Sequence, residues 1–201
     1  NNHFHQLLQI FEIGSKVLVV TNKDLFVEYF PFYKLKNYTE DTIFVELTME
    51  QIATKETAKQ INIERLSIRE LDEQLKLKQY LDSNKDYFDL VNGIYRKIKL
   101  QTDGEAIEYG SEVSLQYKGA FLNGYVFDDT EEKGITPSFT YGKDYQMIEG
   151  LKIALNGLKE GERVKIIVPS RHAFGKQGSL IGIVPPYTAV IYEVIIKKVI
   201  N

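Results

Sequence analysis

"MIEGLKIALNGLKEGERVKIIVPSRHAFG", Met147 to Gly175, is the stretch whose reading decides the fold. Its first half supports one short helix that ends near Gly157, because glycine accepts the left-handed backbone of a helix C-cap without steric cost. "ERVKIIV" (162–168) then reads as a strand between glycine-containing turns. Upstream, "EVSLQYKGAFLNGYVF" (112–127) alternates Val113, Leu115 and Tyr117 with Ser114 and Gln116, the period of a half-buried antiparallel strand. "NGIYRKIKL" (92–100) and "AVIYEVIIKKVI" (189–200) add a strand on either side. Several strands around one short helix make an α+β fold in which an antiparallel sheet curls round that helix.

The first 91 residues have a different texture. Residues 1–48 hold two apolar runs, "KVLVV" (16–20) and "TIFVEL" (42–47), joined by an aromatic-rich loop. Residues 49–91 are charged and, up to Val91, free of Gly and Pro, which reads as a helical connector. Ser67 and Glu70 form an S-x-x-E capping box there. Ile68, Leu71, Leu75 and Leu81 follow it as a stripe, predicting a helix with one packed face. Three parts result: 1–48, 49–91 and 92–201.

Composition narrows the function. The 201 residues include 43% hydrophobic and 26% charged side chains, ordinary for a globular protein. A net charge of -3 offers no basic field for nucleic acid. No apolar run approaches the roughly 20 residues that span a bilayer. The absence of Cys excludes disulfides and thiol chemistry. The three histidines, His3, His5 and His172, lack the spacing of a zinc site. The acidic run "FDDTEEK" (127–133) lacks the calcium ladder and reads as a solvated loop, and no phosphate-cradling glycine loop occurs. No metal and no cofactor is expected. Aromatic and branched residues with one Asp and no catalytic base suit binding of a compact apolar group rather than proton transfer.

Three ordered motifs, "YKGAFLNGYVFDDT" (117–130), "MIEGLKIALNGLKEGERVKIIVPSRHAFG" (147–175) and "GIVPPYTAVIYEVIIKKV" (182–199), resemble the FKBP-type peptidyl-prolyl cis-trans isomerases. The resemblance covers about residues 93–200. It implies the FKBP fold, isomerisation of X-Pro bonds in protein or peptide substrates, assistance to folding, and macrolide (FK506-like) binding. Carried over by residue, Tyr117, Phe127, Asp128, Ile148, Phe174 and Tyr192 correspond to the family's catalytic pocket. Met147, Leu151, Ile183, Val184 and Phe139 correspond to further substrate-binding positions. Asp128 is expected to pair with Lys133, and the backbone N–H of Ile148 to hold a substrate carbonyl. The bland alternative for each is plain core packing. Two positions depart from the family pattern: Leu151 stands where well-known members carry Trp, and Phe174 where many carry Tyr.

Shifted by 147 positions, "FEIGSKVLVV" (11–20) overlies "LKEGERVKII" (158–167). Gly14 falls on Gly161, Val17 on Val164, Glu46 on Glu193 and Leu8 on Leu155. Residues 1–48 therefore read as the back half of a second, degenerate FKBP-like domain without a working pocket, its front half absent from this sequence. The aromatic stretch Phe26–Tyr33 reads as closing that unit's core, with client binding as the alternative. The arrangement resembles Bacteroidetes-type exported forms, which implies a periplasmic or envelope setting. Two non-isomerase readings stand beside the enzyme: a chaperone-like module that keeps the pocket for peptide capture, and a structural envelope component.

Overall fold

The computed structural model describes residues 11–29, 41–84, 88–180 and 182–201. It divides into two compact units, Asn1–Arg65 and Leu66–Asn201.

In the smaller unit β1 (Lys16–Asn22) and β2 (Thr42–Thr48) pair antiparallel, Lys16 opposite Thr48 and Asn22 opposite Thr42. The residues after β1 form not a loop but a helix, α1 (Lys23–Tyr29), with Asn22 Oδ1 accepting the N–H of Leu25 at 2.9 Å. Phe26 of α1 is buried, while Val17, Val19, Val45 and Leu47 on the strands are only half-covered. The remainder of the aromatic stretch, from Phe30 to Tyr33, and Leu8 lie outside the described residues.

Helix α2 (Lys55–Ser83) runs without a break. Its N-terminus is held by Thr54, whose Oγ1 accepts the N–H of Thr57 at 3.2 Å. Ser67 and Glu70 therefore sit mid-helix and cap nothing. Three of the four stripe residues are turned outward: Ile68, Leu71 and Leu75 are 61%, 67% and 55% exposed, and Leu81 alone of the stripe is half-buried. The half-buried side carries Leu66, Glu73, Leu77, Tyr80 and Leu81. Polar anchoring sets that rotation, because Glu73 bonds Ser170 of the following domain and Tyr80 lies under Lys165, ring to Nζ 5.8 Å.

The larger unit continues with β3 (Asp89–Val91), β4 (Ile94–Leu100), β5 (Glu112–Phe121), β6 (Val126–Asp129), β7 (Ser138–Thr140), helix α3 (Glu149–Leu155), β8 (Arg163–Val168), a 3-10 turn (Ser170–His172) and β9 (Val190–Ile200). The strands form one antiparallel sheet in the order β3-β4-β8-β9-β5-β6, with β7 also on β5. Its inner face supplies Val113, Leu115, Val164, Ile166, Val168, Tyr192, Val194 and Ile196, which close on Leu151, Ala154 and Leu155 of α3. Gly150 permits that approach, since a Cβ there would lie 2.2 Å from Val168. Arg96 of β4 donates to the carbonyls of Ala154 and Asn156 at 3.0 and 3.3 Å, satisfying the orphan acceptors at the end of α3. The helix ends as expected, with Gly157 at φ +69.

The two units share a backbone pattern. Every pairing of β1 with β2 from Lys16–Thr48 to Thr21–Ile43 recurs, 147 positions later, from Arg163–Ile195 to Val168–Val190. The flanking turn recurs too: Gly14 N–H donates to Met49 O at 2.7 Å, and Gly161 N–H to Ile196 O at 2.8 Å. Both glycines hold φ near +85, at +88 and +84. Helix α1 begins at the position equivalent to Ser170.

Candidate active site

One end of the sheet's inner face carries aromatic rings rather than aliphatic side chains. Tyr117 on β5 and Tyr192 on β9 meet edge to face with centroids 5.9 Å apart, and Phe127 on β6 meets Tyr192 the same way at 6.1 Å. Such geometry sets the positive edge of one ring on the negative face of another. Phe121 extends the cluster, 5.0 Å from Phe127. Gly119 makes room for it: a Cβ at that position would stand 2.8 Å from the Phe127 ring and 3.1 Å from Tyr192.

Phe127 and Asp128 are sequence neighbours, and a regular strand would send them to opposite faces. The β5–β6 ladder slips at this point. Gly119 faces Asp128 and Ala120 faces Val126, so Phe127 is the extra residue of a bulge. A bulge re-aims side chains. Here it brings the Phe127 ring into the core while the Asp128 carboxylate accepts a hydrogen bond from the Tyr117 hydroxyl at 3.1 Å. Lys133 Nζ closes on the other carboxylate oxygen as an ion pair, the expected partnership. Thr130 locks the same corner, accepting from Tyr117 N–H at 2.8 Å and donating to Tyr117 O at 3.1 Å.

Burial first, and then the adjacent Asp128 charge, push the Tyr117 hydroxyl up to about 12. The Tyr192 hydroxyl is raised for the same leading reason, burial. Both phenols therefore stay neutral through the ordinary pH range, and Tyr117 serves as a donor to Asp128.

The rest of the rim comes from the ends of α3 and the segment after β8. Leu151 is buried in the hydrophobic core that also contains Phe127 and Tyr192, and Met147 and Ile148 pack against that core. Ile148 holds the N-cap position of α3 with extended backbone, φ -66 and ψ 150. Among the described residues its N–H meets no backbone acceptor, which leaves it available for a carbonyl. Phe174 and Ile183 are partly buried against the same core, as is Phe139 from β7. Val184 is only 1% exposed; its N–H donates to Ser179 Oγ at 2.8 Å and its carbonyl accepts from Ser179 N–H, so it braces the rim from below.

The structure thus brings Tyr117, Phe127, Asp128 and Tyr192 into direct contact, and Met147, Ile148, Leu151, Phe174 and Ile183 belong to or pack against the same hydrophobic core. Gly119, Phe121, Thr130 and the Glu73–Ser170 joint were not singled out from sequence. Gly119 was legible inside "YKG", whereas Glu73 had no local signal. Among the described residues no group of three metal-ligating side chains gathers.

The chain is similar to known proteins in sequence and in fold. The profile described as FKBP-type peptidyl-prolyl cis-trans isomerase matches residues 103–197. The chain is 34% identical over 95 residues to the FK506-binding protein of Neisseria meningitidis serogroup A, covering 47% of this chain and 84% of that one. It is 31% identical over 122 residues to the peptidyl-prolyl cis-trans isomerase Mip of Coxiella burnetii, covering 59% of this chain. The match spans about half of the Coxiella protein, 51% of its length. In fold it resembles crystalline FkpA from Escherichia coli, with a TM-score of 0.60 at 21% identity over 75% of this chain and 74% of that one. The chain belongs to the family of FKBP-type peptidyl-prolyl cis-trans isomerases.

Proposed function

We propose that the larger unit catalyses cis-trans isomerisation of X-Pro bonds in protein chains, with Tyr117, Phe127, Leu151 and Tyr192 as the walls of the proline pocket. The observation that carries this reading is the cluster of aromatic rings beside one tethered carboxylate. Rotation about the X-Pro bond faces a barrier of about 18–20 kcal/mol because it breaks amide resonance. The planar ground state is the more polar one, and an apolar pocket disfavours it relative to the twisted state. Differential binding of that kind is what lowers a barrier. The proline ring sits on the ring cluster, and the Ile148 N–H receives a substrate carbonyl. Asp128, held between Tyr117 and Lys133, fixes the pocket's polar edge. No residue needs to exchange a proton.

Phe174 carries no hydroxyl, so the hydrogen bond that many relatives offer there is missing. One such bond contributes about 0.5–1.5 kcal/mol, so the site isomerises slowly, better on long chains that gain contacts elsewhere. Macrolides of the FK506 type are expected to bind at the same rings and to compete with substrate. The test is proline-limited refolding of a model protein with the full chain as catalyst. Acceleration that disappears in the Phe127→Ala, Asp128→Ala double variant supports the reading; equal rates for the two proteins refute it.

We further infer that residues 1–48 are the back half of a second FKBP-like domain, with 49–91 as connector and 92–201 as the isomerase domain. The shared register and turn hydrogen bonds support the repeat. Its pocket positions are unsuited to catalysis: Val45 stands for Tyr192 and Val27 for Phe174. An exported setting, periplasm or envelope, goes with the likeness to Mip and FkpA. Cell fractionation that finds the protein only in cytosol would contradict it.

A further inference from the structure

Ser170 opens the segment that completes the pocket rim. It is 3% exposed, and its N–H stands at the start of a 3-10 turn, where no earlier carbonyl of that turn can receive it. The acceptor comes from α2. Glu73 Oε1 takes the Ser170 N–H at 2.6 Å, and Glu73 Oε2 takes the Ser170 hydroxyl. Both ends of one carboxylate are thus spent on one residue.

The carbonyl of Ser170 turns to the segment around Phe174. Its carbonyl accepts from Ala173 N–H at 2.9 Å and from Gly175 N–H at 2.8 Å, the two neighbours of Phe174. The Gly175 carbonyl then accepts from Tyr187 N–H at 2.9 Å, and the Phe174 carbonyl from Gly178 N–H at 3.1 Å. An unbroken series of hydrogen bonds therefore links the connector helix to the residues on either side of Phe174 and to Tyr187, which follows Pro185 and Pro186. Sheet pairing holds this segment only before it, at Val168, and after it, at Val190.

We propose that Glu73 is a positioning residue for the isomerase site, setting the rim residues 170–180 and 182–187 through Ser170. This rests on the isomerase reading above. It explains why α2 turns a charged residue toward the domain and leaves Ile68, Leu71 and Leu75 in solvent. Glu73 touches no substrate. It acts through Ser170, so its removal lets Phe174 and Ile183 move relative to the ring cluster.

The experiment uses the full chain and five variants: Glu73→Ala, Glu73→Gln, Ser170→Ala, the double Glu73→Ala, Ser170→Ala, and Val199→Ala as a destabilised control at the far end of β9. Activity is measured well below every Tm. Glu73→Ala lowers kcat/KM about five- to tenfold, in the range that loss of a charge-assisted hydrogen bond allows. Ser170→Ala, which keeps its N–H, loses less, and the double variant is no worse than Glu73→Ala alone. Glu73→Gln, which keeps one accepting oxygen, recovers most of the rate. Val199→Ala loses Tm but not kcat/KM. Hydrogen exchange follows the amides of Gly175, Gly178 and Tyr187, expected to speed up in Glu73→Ala while those of Leu115 and Val194 do not. An unchanged kcat/KM in Glu73→Ala, or a matching loss in Val199→Ala, overturns the proposal. If the parent chain shows no isomerase activity, the exchange data decide alone: a selective loss of protection in the rim supports the positioning role, and uniform protection refutes it.

Discussion

The β1–β2 pair and the β8–β9 pair are built on one backbone plan and end in different places. Both start from a glycine at positive φ, pair in the same register and send a helical turn off the first strand. In the larger unit the inward residues Ile166, Val168 and Val194 are almost wholly buried under α3 and β5. Their counterparts Val19, Thr21 and Leu47 are only half-covered. The aromatic Tyr192 is matched by Val45. A shared ladder thus carries a closed, ring-bearing core in one place and a half-covered face in the other. What separates them is what covers the inner face and which side chains stand at three or four positions.

The sharpest way to break this comparison is to truncate both inner faces. Ile166→Ala, which empties a fully buried site, should cost about 2–5 kcal/mol in urea denaturation of the full chain. Val19→Ala at the equivalent position should cost less than about 1 kcal/mol because water already reaches it. Equal costs would mean that the smaller unit has a closed core after all.

The next effect concerns chemistry. Asp128→Asn removes the charge that holds Lys133 and strengthens the Tyr117 bond, and charge-assisted hydrogen bonds contribute about 1.5–3 kcal/mol. Catalysed isomerisation should fall about tenfold or more with Tm little changed. The change Val45→Tyr in the smaller unit should create no activity. Phe174→Tyr should act in the opposite direction and by less, raising kcat/KM up to about tenfold by restoring a donor. No gain would mean that the rim holds residue 174 away from the substrate.

The smallest effect is one of pH. Burial and the Asp128 charge raise the Tyr117 pKa to about 12, so between the ordinary phenol value near 10 and 12 the unfolded chain releases a proton that the folded one keeps. The stabilisation is complete below pH 10 and is lost as pH rises toward 12. Tyr117→Phe should flatten that alkaline slope, read from urea midpoints at pH 9, 10 and 11. Tyr192, raised in the same direction, contributes the slope that remains.

Much of this was legible in the sequence, and the gaps have physical causes. Alternation marked β5, β-branched density marked β8 and β9, and the glycine after α3 marked its end, because these signals are local. The pocket rings were legible as a motif. How Phe127 and Asp128 both serve it was not, since a bulge depends on the partner strand's register. The orientation of α2 was misread for a similar reason. Its apolar stripe at Ile68, Leu71 and Leu75 gave a clear helical period, but a carboxylate at Glu73 satisfying a buried N–H almost a hundred residues away outweighed it. The capping box failed because S-x-x-E is a cap only where a helix begins. Helix α1 was read as a loop because its flanking residues are rich in turn formers and aromatics.

The central claim is that the ring cluster lowers the barrier to X-Pro rotation. Exchange spectroscopy by NMR on an X-Pro peptide, with a catalytic amount of the full chain, tests it most directly. The account predicts exchange between cis and trans proline signals on the timescale of seconds, abolished by Phe127→Ala, Asp128→Ala and by an FK506-type ligand. Exchange at the uncatalysed rate of tens to hundreds of seconds, in the presence of a chain shown to be folded, would contradict it.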